Sequence, residues 1–155
     1  MYYCRREYWP ALLRNLYRHI LAPAGAIHCA LMASDSRNAH STTWLYNHFA
    51  GKYFGHRNDQ SLPGLRVALR RDRLFAGVQL HLRTRKVHGW VDDFEKFMAI
   101  VWMILLYPNV HPYTLQQRRD IARYMYAHFF KKRQPLIQVQ DHLILYRGIP
   151  FKGLA

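Results

Sequence analysis

The stretch on which the fold turns is Leu74-Phe75-Ala76-Gly77-Val78-Gln79-Leu80-His81-Leu82-Arg83. Two periodicities compete in it. Leu65, Leu69, Ala76 and Leu80 fall on one face of a helix that starts at Pro63 with Ser61 as its cap. Val78, Leu80 and Leu82 alternate with Gln79, His81 and Arg83, which is the pattern of a half-buried strand. The helix is the preferred expectation, and the strand is its rival.

Outward from this stretch the signals are mostly helical. In residues 8–21, Leu12, Leu13, Leu16, Tyr17, Ile20 and Leu21 recur at helical spacing, with Arg14, Asn15, Arg18 and His19 on the other face. Pro10 suits the first turn, and Pro23 and Gly25 stop the helix. Residues 26–33 are a short apolar run and residues 34–38 a loop. A second helix begins near Ser41 and runs through Trp44, Leu45, His48, Phe49 and Lys52 to Phe54, where residues 55–60 break it. A fourth helix spans residues 91–107, with Asp92, Asp93 and Glu95 in its first turn, as the helix dipole favours. Thr114 caps a fifth through Ile121, Tyr124, Met125 and Phe129, with Lys131, Lys132 and Arg133 at its end. The tail, residues 135–155, alternates near Ile137 and Val139 and reads as a strand pair or an extended arm. The expected fold class is mainly α: a three-helix bundle, two further helices and an extended or short β tail. The expected division places the bundle in residues 1–95 and a docking extension in residues 96–155.

The chain has 155 residues, half of them apolar and 15% aromatic, which is enough to bury a core. Its net charge is +14, from 23 Lys+Arg against 9 Asp+Glu, and 17 of the 23 are arginine. Such a field favours anionic partners: nucleic acid, an anionic membrane or an acidic protein. Cys4 and Cys29 suit neither a disulfide scaffold nor a zinc module. The longest apolar run, residues 97–108, is short of the roughly 20 residues that cross a bilayer, so the chain is expected to be peripheral to membranes. The N-terminal segment is basic, with Glu7 its one acid in the first 34 residues, and resembles a mitochondrial targeting segment.

Nothing in the sequence assembles into catalytic chemistry. The ten histidines form no His-Glu-x-x-His pattern, and the cysteines no Cys-x-x-Cys, so no metal site is expected. His28-Cys29 is an isolated dipeptide, and no Gly-rich phosphate loop occurs. The positive signal is arginine. Arg66, Arg70, Arg71 and Arg73 cluster in one segment, followed by Arg83, Arg85 and Lys86, and Arg118, Arg119 and Arg123 form another group. With so few acids to pair them internally, these are candidate anion contacts, since the guanidinium fork binds carboxylates and phosphates alike.

Leu12-Leu13-Arg14-Asn15-Leu16-Tyr17-Arg18 resembles the signature of the LYR-motif family of small mitochondrial proteins. Phe54, in Tyr53-Phe54-Gly55-His56-Arg57-Asn58, stands for the phenylalanine that ends that family's second helix. The stretch from Phe54 through Pro63, Leu69 and His88 looks most like the LYR-type accessory subunits of respiratory complex I. The connection to Phe54 is longer than the family's, Gly55 stands where an arginine is common, and Leu-Tyr-Arg occurs again at residues 145–147. The resemblance implies a non-catalytic accessory subunit of a respiratory assembly on the matrix side of the mitochondrial inner membrane. It implies binding of acidic acyl carrier protein through Leu16, Tyr17, Arg18 and Phe54. It also implies no directly bound cofactor beyond contact with that partner's acyl-phosphopantetheine arm.

A second resemblance lies at the other end. Residues 137–148, following a basic helix, look like the last strands of the CRM RNA-binding domain. This implies the alternative function: a basic RNA-binding component of an organellar ribosome.

Overall fold

The computed structural model describes residues 4–34, 37–105 and 111–148. Within them the chain forms two compact units, each assembled from separated stretches. Of the described residues, the first holds those in 4–33, 60–85 and 140–148, and the second those in 34–59 and 86–139. The chain passes between the units after residues 33, 59, 85 and 139, and not near residue 95.

The first unit is built from two helices, one whole strand and the parts of two longer strands that fall in residues 79–85 and 140–146. Helix α1, Trp9–Asn15, continues as a π-helical turn, Leu16–Ile20. Strand β1 is Ala26–Met32, and helix α2, Thr42–Phe54, belongs to the second unit. Helix α3 is Leu62–Arg70, and strand β2 is Gln79–Gly89. Strand β3, Leu136–Tyr146, lies in the centre of the order β1-β3-β2. It runs antiparallel to β1 in a register that sets Ala26 against Tyr146, His28 against Ile144, and Ala30 against His142. The pleat sends alternate residues to opposite faces. One face, carrying Cys29, Leu31, Leu80, Leu143 and Leu145, packs on Trp9 and Leu13 of α1 and Leu62, Leu65 and Leu69 of α3.

This architecture corrects the expected mainly α fold: the chain is α+β, with a three-stranded sheet to which the stretch after α3 gives one strand and the tail, expected as extended or short β, gives the central one. The deciding stretch leaves the helix at Arg70. Asp72 then caps a single 3-10 turn, Arg73–Phe75, by accepting from the Leu74 amide. Gly77 follows at φ 79, a left-handed conformation that ends any helix and turns the chain into β2. The short apolar run at 26–33 satisfies its backbone by pairing as β1. Among its described residues the tail does not form a strand pair. It is one central strand, buried at every second residue from Val139 to Leu145.

The other helices follow the sequence. Ser41 caps α2, Ser61 caps α3, and Thr114 closes a reciprocal capping box with Gln117 at the start of α5, Leu115–Met125. Gly55 ends α2 in the left-handed conformation at φ 71. Helix α4 is Phe94–Leu105: it starts after residue 93 and not at 91, because Asp93 precedes it and accepts from the Lys96 amide, so of the three acids only Glu95 lies in its first turn, and the expected continuation through residues 106–107 lies outside the described residues. The core of the second unit joins Leu45 and Phe49 of α2, Phe97, Val101 and Leu105 of α4, and Ile121 and Met125 of α5. Among the described residues, no helix is long and apolar enough to cross a membrane.

Candidate nucleic-acid interface

The second face of the sheet in the first unit has no helix among its lining residues. Ala26 and His28 of β1, His142, Ile144 and Tyr146 of β3, and Arg83 and Arg85 of β2 line a shallow depression of about 290 Å³. The same alternation that buries Leu143 and Leu145 turns His142, Ile144 and Tyr146 outward. Arg83 and Arg85 are exposed, and no ion pair among the described residues engages either of them. No carboxylate lines the depression. Asp141 sits on the opposite side of the strand, buried, where it accepts a 2.7 Å hydrogen bond from the Thr84 hydroxyl.

Rings occupy the middle of the face. His28 Nε2 and His142 Nδ1 are 2.9 Å apart, and the two imidazoles lie 25° from parallel with centroids 5.1 Å apart. Such a bond needs one protonated nitrogen and one lone pair, so double protonation breaks it. Burial holds the His142 imidazole below its usual pKa, and His28 and Arg85 push it the same way against the weaker opposite pull of Asp141. Tyr146 meets His81 edge to face at 5.6 Å. The result is a concave, cationic surface with planar side chains at its centre, which can stack bases and hold phosphates.

The residues singled out from the sequence are distributed otherwise. Leu16 and Tyr17 are half-buried against the first unit's core, with Tyr17 edge-on to Phe75 at 5.3 Å. Arg18 is exposed. Phe54 belongs to the second unit, where it stacks on His111 at 4.6 Å, so the four residues of the LYR-type reading are shared between the units. Arg66 is half-buried, with its Nε unpartnered, whereas Arg70, Arg71 and Arg73 are exposed. In the second unit, Arg118 reaches the Tyr113 carbonyl and lies over the Trp102 ring, Arg119 is exposed, and Arg123 is 3.9 Å from Asp120.

Sequence reasoning missed His28, His142 and Tyr146. The signal for the last two was the alternation of the tail, which becomes legible only once the tail is a central strand. Both cysteines are free, and burial pushes the Cys29 thiol above its usual pKa, away from nucleophilic use. Among the described residues, no group of three or more His, Cys, Asp or Glu side chains could hold a metal ion. Compared with family models, with curated proteins and with solved structures, the chain matches none of them.

Proposed function

We propose that this protein binds single-stranded RNA on the open sheet face of its first unit, as a non-enzymatic component of an RNA-containing assembly. The observation that carries the reading is Arg83 and Arg85, exposed and without ion pairs, beside the His28–His142 pair and Tyr146 on a face with no carboxylate. Bases stack on Tyr146 and the imidazoles, and the two guanidinium forks take successive phosphates. A sheet face suits this because its side chains stand at fixed spacing on a rigid backbone. The net charge of +14 supplies the long-range attraction.

An organellar ribosome is the assembly proposed, because the charge of +14 suits a large RNA partner. The reading as a respiratory accessory subunit that binds acyl carrier protein rests on residues 16–18. It ranks second because α1 packs on a sheet in an α+β unit and not in a three-helix bundle.

The test is titration of a labelled single-stranded oligoribonucleotide into the wild-type protein and the Arg83→Glu/Arg85→Glu variant. The reading expects a loss of affinity on the order of 100-fold with unchanged circular dichroism. Equal affinity of the two folded proteins overturns it.

A further inference from the structure

The second unit carries a separate pocket of about 540 Å³ on the surface of α2, lined by Trp44, Asn47, His48, Gly51, Lys52, Gly55 and Arg57. Its shape follows from the helix. Positions 44, 48, 51 and 55 are three or four apart and share one face, and two of them are glycine. Gly51 and Gly55 leave a floor of bare backbone, and a Cβ at Gly55 would meet nothing within 4 Å. Trp44 and His48 form the wall, stacked at 4.6 Å and 9° from parallel. Tyr124 lies beyond His48, tilted by 31° at 5.8 Å, and itself stacks on His128 at 4.3 Å.

Two cations also line the pocket. Lys52 is exposed on the helix, and Arg57 is exposed on the segment that leaves it. The Asn47 side chain anchors that segment by accepting a 2.7 Å hydrogen bond from the Asn58 amide. No carboxylate lines the pocket. Burial and the Lys52 charge both hold His48 below its usual pKa, so its ring stays a neutral stacking partner at physiological pH. The pocket thus offers an aromatic wall, an open floor and two positive charges, a combination that fits a planar base joined to a phosphate.

We propose that this pocket binds one nucleotide of an RNA strand, its base against the Trp44–His48 wall and its phosphate between Lys52 and Arg57. It gives the second unit an RNA contact of its own, an inference that builds on the RNA reading but stands on different residues.

The experiment is photocrosslinking of the full chain to a single-stranded oligonucleotide containing 4-thiouridine, with crosslinked peptides mapped by mass spectrometry. The arms are wild type, Lys52→Glu/Arg57→Glu, and Arg83→Glu/Arg85→Glu, each verified as folded by circular dichroism. The inference expects crosslinks within residues 44–57 of wild type. Lys52→Glu/Arg57→Glu should lower them roughly tenfold, and Arg83→Glu/Arg85→Glu should retain them. Crosslinks confined to β1, β2 and β3 overturn this pocket and leave the sheet reading standing. Crosslinks confined to α2 uphold the pocket and overturn the sheet reading. The absence of crosslinks in wild type overturns both.

Discussion

The tripeptide Leu-Tyr-Arg occurs twice in the first unit, at residues 16–18 and 145–147, and the second copy docks on the first. The Arg147 guanidinium donates to the carbonyls of Tyr17 and Leu21, at 2.9 and 2.6 Å, and lies 5.0 Å over the Tyr17 ring. It thereby caps the π-helical turn, a place where a cation also meets the negative end of the helix dipole. Next to it the Arg147 amide donates to the Gly25 carbonyl, and Gly148, at φ 99, passes so close that a Cβ would stand 2.9 Å from the Pro23 carbonyl oxygen. Leu145 is 2% exposed in the core, whereas Leu16 is half-buried at its margin. Tyr146 faces the open sheet, whereas Tyr17 is packed between Phe75 and Arg147. One tripeptide thus does different work on a helix and on a strand, because period 3.6 and period 2 send its three side chains to different places.

Four measurements test these placements. Leu145→Ala should cost about 2–5 kcal/mol in chemical denaturation, the range for emptying a packed core site, and Leu16→Ala clearly less. Equal costs would mean that the margin and the core are not distinct. Arg147→Ala should cost about 2–3 kcal/mol, because it removes charge-assisted bonds to two carbonyls. Arg18→Ala should stay within about 0.5 kcal/mol, as for other exposed sites. A reversed order would restore Arg18 as the important arginine.

Tyr146→Ala should leave the fold intact and weaken RNA binding by about 1–3 kcal/mol, the cost of one lost base stack. Tyr17→Ala should do the opposite, lowering stability with little direct effect on affinity. If the Tyr146 variant binds as wild type does, the open face is not a stacking surface. The smallest effect concerns pH. Burial holds His142, His48 and His111 below their usual pKa, so the folded chain favours their neutral forms. The unfolded chain then takes up more protons below about pH 6.5, and stability present above that pH is progressively lost as pH falls. The thermal midpoint should be lower at pH 5 than at pH 7.5, and a flat or rising profile on acidification would contradict these placements.

What the sequence reveals divides along the same line between local and distant interactions. Ser41, Ser61 and Thr114 cap helices by reaching amides three residues on, and Gly55 stops α2 on its own backbone freedom, so these elements are readable from short windows. The sheet is not readable in this way. His28 and His142 are 114 positions apart, and Arg147 is 130 from Tyr17. Which strand takes the centre depends on pairing across such distances, and alternation alone does not specify a partner. In the deciding stretch, Leu80 fits both periodicities, and the outcome was set by Gly77 and by the place beside β3. The arginine count pointed to anionic partners, but most of the clustered arginines first singled out lie outside the open face. Arg83 and Arg85 count because β2 sets them beside the rings.

If Arg83 and Arg85 hold phosphates on the open sheet face, the salt dependence of RNA binding reports those two contacts. The equilibrium constant for one single-stranded oligoribonucleotide should be measured at several salt concentrations, for wild type and for Arg83→Gln/Arg85→Gln. Losing two phosphate contacts should make the slope of log K against log salt shallower by roughly 1.4. Parallel lines for the two folded proteins would contradict the account.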